Sequence, residues 1–149
     1  MYKTATHNEL LTELRDSFTA LGREIRMQHG DVYTCVTPAL DKVLLVTGSL
    51  KGVNIKQLAT LLMITPGAAT QHVAVLEKLG AVDRVVNDTD RREVIIRLTV
   101  YGADIYKEIR SKQLKLMNEI FGALDEEELQ TMVQLMQKVS QKTRQYMSL

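Results

Sequence analysis

A mainly α-helical chain with one small β-hairpin is what the sequence predicts, on three observations. Apolar residues recur every three or four positions through long stretches at both ends of the chain. Two short helical patterns, opening at Asn54 and at Thr65, are separated only by Met63-Ile64. Two β-branched runs, Ala81-Val82-Asp83-Arg84-Val85-Val86 and Glu93-Val94-Ile95-Ile96-Arg97-Leu98, flank the polar turn Asn87-Asp88-Thr89-Asp90-Arg91-Arg92. Two helices joined by so short a turn, followed by a hairpin tipped with arginine, form a winged helix-turn-helix.

Taken in order, the first element runs from about Asn8 to Met27, where Leu10 or Leu11, Leu14, Phe18, Leu21 and Ile25 mark an amphipathic helix. Gly30, Asp31 and the segment to Thr37 form a connection. Thr37 or Asp41 starts the next helix, with Leu40, Val43, Leu44 and Leu50 facing inward and Gly48 and Gly52 punctuating its end. Asn54 is an N-cap with Gln57 in the capping-box position, and Ile55, Leu58, Ala59 and Leu62 follow on one face. Thr65 is a second N-cap, with Pro66 just inside the helix, where its missing N–H costs nothing. That helix turns Ala69, Val73 and Leu76 inward and stops at Gly80. After the hairpin, Thr99 caps a long helix to about Gly122, striped by Ile105, Ile109, Leu116 and Ile120. Asp125, with Glu128 completing a capping box, opens a last helix whose apolar face includes Leu129, Met132, Val133 and Met136.

The apolar faces of the terminal helices exceed what the small head can cover, so they must pack on each other or on a second chain. A two-fold dimer is the natural solution. It would set two reading helices about one DNA turn, roughly 34–36 Å, apart on a palindromic site. The domains expected are therefore a helical dimerisation region, 1–36 with 100–149, and a winged helix-turn-helix, 37–99.

These residues carry a resemblance. Leu76-Glu77-Lys78-Leu79-Gly80-Ala81-Val82-Asp83-Arg84, the wing segment Asp90-Arg91-Arg92, the junction Leu98-Thr99-Val100-Tyr101-Gly102 and, upstream, Thr37 to Leu44 together resemble the MarR family of bacterial transcription regulators. The resemblance covers nearly the whole chain in order and length. It implies a homodimeric DNA-binding regulator, with Arg92 reaching the minor groove and Asp90 fixing the loop. It also implies response to a small effector, often aromatic or phenolic, held between dimer helices and head. The first helix, the Val32 to Leu44 region and the Thr99 helix would line that crevice, with Phe18, Met27 and Tyr33 as candidates.

Projecting the second helix of the head at about 100° per residue sets Gly67, Gln71, Ala74 and Lys78 opposite its inner face, with Ala68 and Thr70 on the flanks. Gln71 can bond adenine in bidentate fashion, and Thr70 can meet a phosphate or a thymine methyl. The N–H groups at Thr65 and Gly67 add phosphate contacts at the helix start. Gly67-Ala68-Ala69 offers few base-edge partners, which moves weight to DNA shape and to the wing. His72 turns to the inner flank. Arg91 and Arg92 face opposite ways if the strand continues through them, and Arg84 is placed to brace the wing through Asp88 or Asp90.

The chain has 149 residues, enough for one domain or one subunit of an intertwined oligomer. Its formal net charge is +1, weak for a nucleic-acid binder, but Arg84, Arg91, Arg92 and Arg97 gather at the hairpin while acid gathers at Asp125 to Glu128. No apolar run approaches the roughly 20 residues of a membrane span, and no leader pattern is visible, so a cytoplasmic location is expected. The lone Cys35 can form no internal disulfide. No phosphate loop, paired metal-binding histidines or catalytic constellation stands out. His29, Asp31 and Cys35 share one segment without metal-ligand spacing. The expectation is therefore no enzyme, no metal and no cofactor. The partners expected are double-stranded DNA, a second copy and an effector, with no membrane. Two functions compete: a sequence-specific regulator, more readily a repressor acting by operator occupancy, and a winged-helix protein-interaction module that does not bind DNA.

Overall fold

The computed structural model describes residues 5–29 and 34–147. Among them are α1 (His7–His29), α2 (Pro38–Ser49), α3 (Ile55–Leu62), α4 (Pro66–Lys78), β1 (Val82–Val86), β2 (Val94–Leu98), α5 (Val100–Phe121) and α6 (Glu126–Met147). The chain divides into two compact units, 1–109 and 110–149.

In the first unit, local chemistry starts every helix of the head. Thr37 caps α2, accepting the Leu40 N–H, with Pro38 following it. Asn54 and Gln57 form a reciprocal capping box at α3. Thr65 Oγ1 accepts the Ala68 N–H at 3.1 Å, with Pro66 in the first turn of α4. The helices also end alike. After α4, Gly80 adopts φ +73, its N–H reaches Glu77 O at 2.9 Å, and the Ala81 N–H reaches Leu76 O at 2.9 Å. This is the Schellman pattern. It recurs after α3, where Met63 takes the left-handed position at φ 54, and after α2, where Lys51 does so at φ 57. Gly48, expected to end α2, lies inside it. The Tyr106 ring of α5 presses on that glycine so closely that a Cβ would meet it at 2.6 Å. Leu50, expected inside, is half-exposed, because α2 ends one residue before it.

α2, α3, α4, the hairpin and the first turns of α5 enclose one core. Val43, Leu44, Leu58, Val73, Leu76, Val82 and Ile96 are fully or almost fully buried, with Ile105 and Ile109 completing it from α5. The buried Asp41 is satisfied by the N–H groups of Cys35 and Val36, at 2.7 and 3.0 Å. β1 and β2 pair antiparallel, Val82 opposite Leu98 and Val86 opposite Val94. Val53 adds an isolated bridge to Ile96.

Thr99 seats α5 on the head. Its hydroxyl donates to Gly80 O at 2.6 Å and accepts the Gly102 N–H at 3.0 Å, while its own N–H reaches Ala81 O at 3.1 Å. Gly102 lies so close to β1 that a Cβ would fall 1.8 Å from the Ala81 carbonyl oxygen.

α1 opens with a box of its own, Thr6 with Glu9, and leaves Leu10, Leu11, Leu14 and Phe18 about half-exposed. In the second unit, Asp125 and Glu128 form the expected capping box of α6. An apolar groove of about 600 Å³ there is lined by Leu114, Met117, Phe121, Leu129, Met132 and Met136 among others. No single helix among the described residues is long and apolar enough to cross a membrane. Among those residues no group of three or more His, Cys, Asp or Glu could hold a metal ion.

Candidate nucleic-acid interface

The turn after α3 sets the geometry. α3 and α4 bend by 109° at their junction, within the range of a helix-turn-helix. With Ala69, Val73 and Leu76 buried, α4 presents Gly67, Thr70, Gln71, Ala74 and Lys78 as exposed residues. Ala68 and His72 are intermediate, so both occupy the flanks. Val75 is also exposed, at 46%. At about 100° per residue it stands roughly 40° from Gln71. Its apolar side chain gives no sign of exposure in the sequence, although the same projection places it on the exposed side. It widens the outer face with a group suited to a thymine methyl.

The first turn of α4 has one free donor position. Pro66 has no N–H, the Ala68 N–H is taken by Thr65 Oγ1, and the Ala69 N–H by Thr65 O. That leaves the Gly67 N–H without an acceptor inside the helix. No Cβ crowds it, so an anion could approach closely. Thr65 contributes its side chain to the cap. Thr70 donates its hydroxyl back to Pro66 O at 2.9 Å, so its proton is committed within the helix and its methyl and lone pairs remain.

The wing is a seven-residue loop, 87–93, closed by the Asn87 N–H to Glu93 O at 2.9 Å. Asn87 Oδ1 accepts the Thr89 N–H, and Asp90 Oδ1 accepts the Arg92 N–H, each at 3.0 Å. Asp90 O also accepts the Glu93 N–H at 2.9 Å. Asp90 thus shapes the tip. The strand does not continue through Arg91 and Arg92, which lie in a turn, so the condition for a strand-like alternation of the two is not met. Both are exposed, and among the described residues neither is engaged by a carboxylate. Arg84 finds a different partner from the one expected. Its Nε donates to Glu77 Oε2 at 2.9 Å, joining β1 to the end of α4 instead of bracing the tip through Asp88 or Asp90. The tight turn through Gly80 brings those two side chains together across seven positions.

In sequence Glu93 stands only as the start of a strand. Its carboxylate accepts from Asn54 Nδ2 on one oxygen and from Asn87 Nδ2, at 2.6 Å, on the other. The effector candidates are not gathered in the same way. Phe18 lies on the apolar face of α1, whereas Met27, 80% exposed, is nine residues further along the helix. That spacing puts it on the opposite face and roughly 13 Å away along the axis. Tyr33 lies outside the described residues.

The MarR family model matches residues 42–93 of this chain. A MarR family protein from Bacillus stearothermophilus is similar in structure, with a TM-score of 0.80 at 19% identity over 94% of this chain and 99% of that one. Streptococcus pneumoniae FabT, solved in complex with DNA, aligns with a TM-score of 0.62 at 25% identity, covering 93% of this chain and 96% of that one. A mutant MarR from E. coli, complexed with operator DNA, gives 0.63 at 23% identity, covering 91% and 99%. No curated protein matches the chain in sequence.

Proposed function

We propose, starting from the MarR family head in residues 42–93, that this chain is a homodimeric, sequence-specific DNA-binding transcription regulator acting as a repressor by operator occupancy. The observation that carries the reading is the shared exposure of two different kinds of group. Gln71, Thr70 and Val75 stand outside the second helix of a helix-turn-helix, and the uncommitted Arg91 and Arg92 stand on the adjoining wing. The first set suits base edges and methyl groups in the major groove. The second suits phosphates or the minor groove, with Lys78 and the Gly67 N–H as further phosphate partners.

Dimerisation is supported by apolar surface. Fully burying a Leu or Phe side chain contributes roughly 1.5–3 kcal/mol. Leu10, Leu11, Leu14 and Phe18 on α1 are about half-exposed, as are Met117, Leu129 and Met136 in the second unit. A two-fold mate would cover these faces, with 1–36 and 100–149 as the dimerising region and 37–99 as the reading head. Relief of repression by a small effector belongs to the same reading, by a shift between DNA-competent and incompetent dimers. Of its candidates, Phe18 shares the apolar face of α1.

A second reading, a winged-helix module that binds protein, draws on the net charge of +1 and the sparse Gly67-Ala68-Ala69 surface. Selection of bound fragments from genomic DNA, followed by gel shifts, separates the two. A regulator returns palindromic fragments and binds them less tightly as salt rises. Arg92→Ala should weaken binding across all sequences and lower the salt slope by about 1, whereas Gln71→Ala should cost about 1–3 kcal/mol at the preferred base and relax preference there. No enrichment and no salt-dependent binding would favour the protein-binding module.

A further inference from the structure

We infer that Glu93 is a positioning residue for the wing: its carboxylate clamps the hairpin to the start of α3, fixing where Arg91 and Arg92 stand relative to α4. This rests on the DNA-binding reading above. The two oxygens of Glu93 accept from side chains on different elements, Asn54 at the N-cap of α3 and Asn87 at the end of β1. Asn54 is itself held, because its Oδ1 caps the Gln57 N–H at 2.7 Å and its own N–H donates to Gln57 Oε1 at 3.1 Å. Asn87 is held as well, through its N–H to Glu93 O and its Oδ1 to the Thr89 N–H. A chain of bonds therefore runs from the start of α3, the first helix of the helix-turn-helix, to the loop that carries both arginines.

The hairpin needs such a tie. Its strands are five residues each, and Val85, Val86 and Val94 at the loop end are exposed. A two-stranded hairpin with little burial is marginal in water. Its core contacts, through Val82 at the base and Ile96 at mid-strand, stop short of the loop end. An ionised carboxylate can accept two donors at once, one on each oxygen, whereas an amide offers one oxygen and turns its NH2 toward the second donor. Glu93→Gln therefore breaks one arm of the clamp with almost no change in volume. Asn87→Asp attacks the other arm, setting carboxylate against carboxylate without touching α3.

Two measurements test this. In anisotropy titrations of the full chain with fluorescein-labelled random-sequence duplex DNA, each variant should bind about three- to tenfold more weakly. Glu93→Gln added to Arg91→Ala with Arg92→Ala should bind no more weakly than that arginine pair of changes alone, because a misplaced wing without its arginines has nothing further to lose. Fully additive losses, or wild-type binding by Glu93→Gln, would overturn the inference. Hydrogen exchange reads the clamp without DNA. The Asn87 amide should exchange about tenfold faster in Glu93→Gln while the buried turns of α4 keep their protection. Unchanged exchange at Asn87 would also overturn it. If the wild-type chain binds no DNA, the functional reading fails and the positioning role with it. Exchange would then report on the clamp alone.

Discussion

Gly102→Ala tests how α5 is fastened to the head. Two effects oppose each other there. Alanine is the better helix former by about 0.8–1.0 kcal/mol, so propensity alone predicts a more stable protein. The added Cβ, however, would fall 1.8 Å from Ala81 O and 2.8 Å from the carbonyl carbon, both backbone atoms that cannot swing aside. Reaching even 3.0 Å requires an opening of about 1.2 Å between α5 and the start of β1. Strain of this kind in a packed site costs typically 1–3 kcal/mol, occasionally more. The opening also stretches the 3.1 Å bond from the Thr99 N–H to the same carbonyl, at about 1 kcal/mol. The clash wins, for a net loss of about 1–3 kcal/mol. For a chain of this size that lowers Tm by roughly 2–4 °C per kcal/mol. Thermal unfolding followed by circular dichroism measures it, with Gly22→Ala on α1 as control. A Cβ at Gly22 meets only Arg26 Nη1, at 3.6 Å, so that variant should be neutral or slightly more stable. A Tm for Gly102→Ala equal to or above wild type would refute the close seat.

Met63→Gly should stabilise the head. Met63 holds a left-handed conformation at φ 54 with its side chain 92% exposed, so little packing is lost. Relief of roughly 1–2 kcal/mol of backbone strain, less the added freedom of glycine in the unfolded chain, leaves a gain of about 0.5–1 kcal/mol, readable by urea titration. A loss of stability would mean that the methionine side chain contributes packing. At the start of α1, the Thr6 backbone N–H, and then its hydroxyl, hold the Glu9 carboxyl below its ordinary 4.5. A lowered folded-state value means the carboxylate stabilises this turn above 4.5 and that the benefit is lost as pH falls through the lowered value. The Thr6 amide resonance should therefore titrate in acid below 4.5 and should stop doing so in Glu9→Gln. A midpoint at or above 4.5 would contradict the hydrogen bond.

Much of this architecture was legible because it is written locally. Thr37, Asn54, Thr65, Thr99 and Asp125 each cap a helix within three residues of themselves, and Ala69, Val73 and Leu76 declare the buried face of α4 by spacing alone. What escaped depends on residues distant in sequence. Gly48 reads as a helix terminator until Tyr106, from another helix, is seen to need its missing side chain. The partner of Glu93 at Asn54 is 39 positions away, so no window along the chain contains the pair. Arg84 had acids on both sides in sequence, and the Gly80 turn selected Glu77. Whether the strand runs on through Arg91 and Arg92 is open in the sequence, and the structure answers it with a turn in which Asp90 Oδ1 accepts the Arg92 N–H.

The hydroxyl of Thr70, turned back on its own helix, and the bare surface of Gly67 and Ala68 leave Gln71 as the one exposed long polar side chain in the first two turns of α4, with His72 on the flank. In a regulator, a half-site read this way carries its information at very few base pairs. Targets could then drift at most positions without escaping control, and a single exchange at residue 71 could redirect the protein to a different set of promoters.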